Sequence, residues 1–232
     1  MLHRETVSPE LLDLTKKLMQ DDKLQDFRLV GGTALALLFG HRTSIDIDLF
    51  TNKEFDAKSL QDHIDEKYGP STSRSTTNSV MCRIDNIKVD MIAHRYQWLE
   101  PSLKTDGLRM ASAKDISAMK IHAINQAGTR QKDFVDLYFL LEKYSLNEMV
   151  QGYGKKYPEG FPNIAKESVR SFDRVTIDDP IKVFDKEITW REVEKRLNKA
   201  VLNPNKIFKA DHLNLLPKKN INPDSHKRKP KL

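Results

Sequence analysis

Apolar and polar positions divide the chain into a first half that mixes helical and strand-like periods and a second half that is helical throughout. Leu11, Leu14, Leu18 and Met19 recur at helical spacing behind Ser8-Pro9-Glu10, where serine is a helix cap and proline suits the first helical position. An amphipathic helix is therefore expected over residues 8–24. Residues 27–30 read as a short strand running into Gly31-Gly32, and 33–39 as a helix closed by Gly40. From Ile45 to Phe50 apolar and polar side chains alternate strictly, as in a half-buried strand. Asn52 is expected to cap a helix running to about Tyr68 and ended by Gly69-Pro70. Residues 71–79 are polar, a loop or a weak edge strand. Residues 80–84 and 87–93 flank Asp85-Asn86, a two-residue connection suited to a hairpin.

Beyond residue 110 the strand signals stop. Ser112 with Asp115 is a variant of the capping box, opening a helix that reaches Gly128. A second helix is expected over 131–144, and weaker helical signals lie at 146–150, 164–172 and 189–202. No internal repeat is present. The fold class is accordingly α+β: a mixed sheet flanked by helices over residues 1–110, then an α-helical C-terminal half over 111–204, then a tail over 205–232 expected to be flexible.

Composition narrows the class. A hydrophobic fraction of 38% in 232 residues builds a sizeable core and excludes a disordered chain. No apolar run nears the roughly 18 residues that span a bilayer, and the acid-bearing N-terminus lacks a signal-peptide pattern. A single cysteine, Cys82, excludes an internal disulfide framework and fits a reducing cytoplasm; inside a strand-like run it reads as a core thiol. A cytoplasmic protein without membrane association is expected. The net charge is +6, yet residues 217–232 hold six Lys or Arg against one Asp and so carry +5 of it. Such a tail can grip nucleic acid through its phosphates, or simply keep the chain in solution.

The alternating run places Asp46 and Asp48 on one face of a strand and Ile45, Ile47 and Leu49 on the other. Aspartate is disfavoured in strands and two like charges on one face repel, conflicts that a divalent cation resolves. Mg²⁺ takes one or two carboxylates and leaves positions for water and substrate phosphates. Three features add to this pair. Gly31-Gly32-Thr33 sits between strand and helix, where a backbone can approach a phosphate and a helix N-terminus offers free N–H groups. Asp90 is an acid inside the apolar run Ile87-Lys88-Val89-Asp90-Met91-Ile92, and a third carboxylate allows two metals to be shared. His41-Arg42, just upstream, brings positive charge.

The run LVGGTALALLFGHRTSIDIDLF, then KVDMI, KIHA and RQKDFVDLYFLL, resembles the AbiEii/AbiGii-type toxin nucleotidyltransferases of the DNA polymerase β-like superfamily, over residues 27–144. The resemblance implies a nucleotidyltransferase-like sheet domain. It assigns Gly31 and Gly32 to the phosphate turn, Asp46 and Asp48 to the metal pair and Asp90 to the third carboxylate. The superfamily has Gly-Ser where this chain has Gly-Gly-Thr, so Thr33 stands in for the serine. The family's helical lysine matches Lys120, expected to hold a triphosphate as a point charge. Its helical acid matches Asp136 or Asp133, either of which would orient Lys120 or the acceptor.

These assignments imply Mg²⁺-dependent transfer of a nucleoside monophosphate from an NTP to a hydroxyl. The resemblance points to a toxin of a bacterial toxin–antitoxin or phage-defence system, with RNA (the 3′ end of tRNA) as acceptor and a cognate antitoxin as partner. A small-molecule nucleotidyltransferase of the aminoglycoside-modifying kind, or a non-catalytic binding protein on the same fold, remain the alternatives from the sequence.

Overall fold

A computed structural model describes residues 1–177, 183 and 188–209. Most of the basic tail, from 210 on, lies outside the described residues. Three sequence signals set the first helix, α1 (Pro9–Met19): Ser8 accepts a hydrogen bond from Leu11 N, Pro9 opens the first turn, and Leu11, Leu14 and Leu18 bury one stripe. Strand β1 (Arg28–Leu29) leads into α2 (Gly31–Phe39), which Gly40 ends at φ +68°. Strand β2 (Asp46–Thr51) follows, then α3 (Ala57–Tyr68), β3 (Thr72–Thr76), β4 (Ser79–Ile84) and β5 (Ile87–Ala93). Asp85 and Asn86 both adopt positive φ in the β4–β5 turn, the geometry that closes a two-residue hairpin.

The cap of α3 is Asp56, whose carboxylate accepts from Lys58 N and Ser59 N at 3.0 Å; it is not Asn52. The chain needs the intervening residues to leave the sheet before a helix can start. A further hairpin, β6 (Leu103–Thr105) and β7 (Leu108–Met110), turns on Asp106 and Gly107 at positive φ and was not expected.

All seven strands form one sheet, ordered β3-β4-β5-β2-β1-β7-β6. β2 runs parallel to β5, and β1 parallel to β7; the other neighbours are antiparallel. Ile47, Leu49, Val89 and Met91 are fully buried on the core face. Ile45, expected to join them, lies just outside β2 and is exposed. Cys82 is a core thiol, its pKa pushed up to about 12 by burial.

The helical half comprises α4 (Ala113–Gln126), α5 (Gln131–Leu140), α6 (Leu146–Lys156), α7 (Pro162–Ser168) and α8 (Trp190–Leu202). α4 is its hub and packs on α2, α5, α6 and α7. α5 stops earlier than the expected 144 because Ser145 starts α6 with a full capping box to Glu148. One hydrophobic cluster runs through both halves. It reaches Phe208, whose backbone N–H donates to Leu141 O, so residues up to 209 that were expected in the tail pack on the body. Among the described residues no helix is long and apolar enough to cross a membrane.

A buried acid joins the halves. Asp115, in the first turn of α4, accepts from Lys156 Nζ and Leu99 N at 2.9 Å, and from Ser112 Oγ at 2.8 Å. Lys156 also donates to Gln97 O and lies 4.5 Å from the Trp98 ring centre. Both side chains of the pair are wholly buried. Asp115→Ala strands the ammonium of Lys156 in the core. Urea unfolding is expected to show a loss of about 3–5 kcal/mol, partly recovered in Asp115→Ala/Lys156→Met. Nearby, burial and the Lys156 charge push the His94 pKa down to about 4. The unfolded chain then binds more protons between pH 6.5 and 4, so folding stability declines as pH falls through that window. Melting curves against pH should show this limb flattened in His94→Gln.

Candidate active site

The two-residue period of β2 turns Asp46, Asp48 and Phe50 to one side and seals Ile47 and Leu49 into the core. Parallel pairing sets Asp48 directly beside Asp90 of β5, on the same face. Asp46 and Asp48 line a cleft of about 330 Å³ between the sheet, the start of α2 and helices α4 and α5. Asp90 lies beside this cleft and leans away: Oδ2 accepts from Lys88 Nζ at 2.5 Å, while Oδ1 is buried with no partner.

The glycines have separate tasks. Gly31 holds φ +67° at the first position of α2, and a Cβ there would strike the Asp48 carboxylate. A Cβ on Gly32 would strike the Arg42 guanidinium. No side chain caps this helix end, so its first N–H groups face the cleft beside the carboxylates. Val30 N donates to Asp48 O at 2.9 Å and fixes the turn to the strand.

Behind the cleft lies a buried charge network. Asp136 of α5 is fully buried and accepts from Arg42 Nε at 2.6 Å and Arg42 Nη2 at 2.9 Å, a two-pronged pair. Its oxygens also meet His41 Nε2 at 2.8 Å and Lys120 Nζ at 2.6 Å. Lys120 donates to Asp133 Oδ1 at 2.6 Å as well. Burial alone would raise the Asp136 pKa, but Arg42, Lys120 and His41 outweigh it and hold the carboxyl well below its usual range. Burial lowers the Lys120 pKa less than Asp133 and Asp136 raise it, so the ammonium stays charged.

Asp48 is the opposite case. Burial, with the Asp90 charge, pushes its pKa up to about 6, against the opposing pull of Lys120, Lys88 and Arg130. A carboxylate held so unfavourably beside a second one gains from a cation. The donor set fits Mg²⁺: Asp46 and Asp48 line the cleft, and the Asp90 oxygen without a partner is available once Lys88 releases its neighbour. As the side chains stand, the described residues contain no group of three acids, histidines or cysteines close enough to hold a metal.

Of the residues expected at a site, Gly31, Gly32, Arg42, Asp46, Asp48, Lys120 and Asp133 line the cleft. Thr33 does not: its buried hydroxyl is spent on Ser44 Oγ at 2.8 Å and on the Asp46 carbonyl. His41 and Asp136 lie behind the wall, and the positive charge expected from His41-Arg42 is engaged by Asp136. Sequence reasoning missed Ser44, Phe50, Met119, Arg130 and Lys132 in the lining. Phe50 was within reach, since it shares the alternation of Asp46 and Asp48. Asp136→Asn removes the charge that balances Arg42 and Lys120, and urea unfolding should show a loss of about 3–5 kcal/mol. Arg42→Lys, which cannot make the two-pronged pair, should lose stability in the same direction.

With this geometry in hand, the relatives are informative. The family described as nucleotidyl transferase AbiEii toxin, type IV TA system, matches residues 13–206. An uncharacterised protein of Aquifex aeolicus (strain VF5) is 37% identical over 183 residues, covering 76% of this chain and 86% of that protein. A Helicobacter pylori structure described as a candidate nucleotidyltransferase superposes with a TM-score of 0.56 at 16% identity, over 88% of this chain and 93% of that one. JHP933 from Helicobacter pylori gives 0.53 at 17% identity, over 86% and 93%. At these identities the solved structures speak for the fold alone. The family match over most of the chain carries the assignment: this protein belongs to the AbiEii nucleotidyltransferase toxin family and is a nucleotidyltransferase.

Proposed function

We propose that the protein transfers a nucleoside monophosphate from an NTP to a hydroxyl of an RNA acceptor, the 3′ end of tRNA, in a Mg²⁺-dependent reaction, and acts in the cytoplasm as a toxin restrained by an antitoxin. The observation that carries this reading is the face shared by Asp46, Asp48 and, in register on the next strand, Asp90, set against the uncapped N-terminus of α2. Mg²⁺ bound there, one or two ions, would neutralise the triphosphate and lower the pKa of the acceptor hydroxyl. Asp46 and Asp48 would hold it, with Asp90 joining from β5. The acceptor oxygen forms a bond to the α-phosphorus, the bond to the bridging oxygen breaks, and pyrophosphate leaves with the electron pair.

The chain's own groups position these partners. The free N–H groups at Gly31 and Gly32 accept phosphate oxygens. Lys120, fixed by Asp133 and Asp136, presents a charge that cannot swing away. Arg130 and Lys132 sit exposed on the cleft wall with no ion pair among the described residues, available for the triphosphate tail or an acceptor phosphate. The basic segment 217–232 adds a sequence-blind attraction for RNA. The family's description as a type IV toxin–antitoxin component implies an antitoxin partner.

Label transfer from each of the four NTPs to total bacterial RNA, with Mg²⁺, tests this. Asp46→Ala and Asp48→Asn should each lower transfer by roughly a hundred-fold or more. EDTA should abolish it. Because the folded state holds the Asp48 pKa above its ordinary value, neutral asparagine removes a penalty, and Asp48→Asn should melt no lower than the parent. Retained transfer by Asp46→Ala would overturn the assignment.

A further inference from the structure

The cleft is chemically divided. One end carries Asp46, Asp48, Lys120 and the α2 turn. The other is walled by Phe50, Ile116, Met119 and Ala123, with Val30 beneath. Ile116 and Val30 are fully buried, while Phe50, Met119 and Ala123 are half-exposed into the opening. Phe50 follows Asp48 by one same-face step of the strand, about 6–7 Å, so one nucleotide can reach both. Its ring is backed by the His94 ring at 5.5 Å, and His94 is tied to the Tyr157 hydroxyl at 3.0 Å.

The backbone of this end is closed to hydrogen bonding. Phe50 lies within β2, paired with Arg28 of β1 on one side and Ile92 of β5 on the other. Ile116, Met119 and Ala123 lie inside α4, where N–H and C=O groups bond along the helix. Among the described residues, this end therefore offers apolar surface, a supported aromatic ring and a polarisable thioether, with no free donor or acceptor.

The geometry points to Phe50, Met119 and Ala123 as the seat of the nucleobase of the NTP, held by stacking and apolar contact and not read by its hydrogen-bonding edge. This rests on the nucleotidyltransferase reading above and adds how the base is chosen. A seat of this kind ranks bases by stacking area: ATP and GTP bind alike, ahead of CTP and UTP, and any finer choice comes from the acceptor.

Titration calorimetry in Mg²⁺ with the four NTPs and with inorganic tripolyphosphate, on the full chain, is the test. The parent should bind each NTP several-fold more tightly than tripolyphosphate, with the purine triphosphates tightest and within about two-fold of each other. Phe50→Leu should weaken NTP binding about ten-fold and leave tripolyphosphate unchanged, and Phe50→Tyr should restore the parent values. Ala123→Phe, which fills the seat from an exposed helix face and spares the sheet, should likewise weaken NTP binding and spare tripolyphosphate. A ten-fold preference for ATP over GTP, or for CTP over UTP, overturns edge-blind seating. So does equal weakening of NTP and tripolyphosphate in both Phe50→Leu and Ala123→Phe. If NTPs bind no tighter than tripolyphosphate, the seat is lost while the phosphate site stands. If neither ligand binds the parent, the nucleotidyltransferase site itself falls.

Discussion

The carboxylate of Asp136 is the point on which the molecule turns. It sits on a helix of the C-terminal half, and its main partners, Arg42 and His41, come from the loop just before the acidic strand of the N-terminal half. A buried ion so placed is costly unless every oxygen is answered, and here Arg42, His41 and Lys120 answer it. The network welds α5 to the loop that enters β2. It sets Lys120 at the edge of the cleft and draws Arg42 against Gly32. Positions at the cleft are thereby set by charges that never reach it.

In front of that clamp, the sheet does the opposite. It gathers like charges: Asp48 beside Asp90 in register, with Asp46 one step away on the same face. Burial and mutual repulsion lift the Asp48 pKa to about 6, an arrangement that costs stability as it stands. The protein thus contains two acidic assemblies of opposite sense. One is fully neutralised and rigid; the other is left wanting a cation at the mouth of a cleft.

Much of this was legible in the sequence, for identifiable reasons. Strict alternation in β2 and β5 fixes which side each aspartate faces, because a strand has only two faces. Ser8, Ser112, Gly40 and Gly69 act locally, so the helix ends they set could be read directly. The β6–β7 hairpin was missed although Asp106-Gly107 is a strong turn signal, because its strands are only three residues long. Whether His41, Arg42 and Thr33 meet ligand or protein was not legible. Their partners lie on other elements, and one-dimensional spacing carries no information on a contact between residues 42 and 136. Asp133 and Asp136 share a helix face by spacing, yet only packing decides that one lines the cleft and the other lies behind it.

Gly31 shows how narrow the tolerance of such a site is. The space a side chain would need there already belongs to Asp48, and the backbone angle excludes most other residues besides. Every point mutation at that codon that changes the residue adds bulk. A cell under attack from its own toxin therefore has, at this position, an inactivating lesion that spares each ionisable group and asks only for one added methyl.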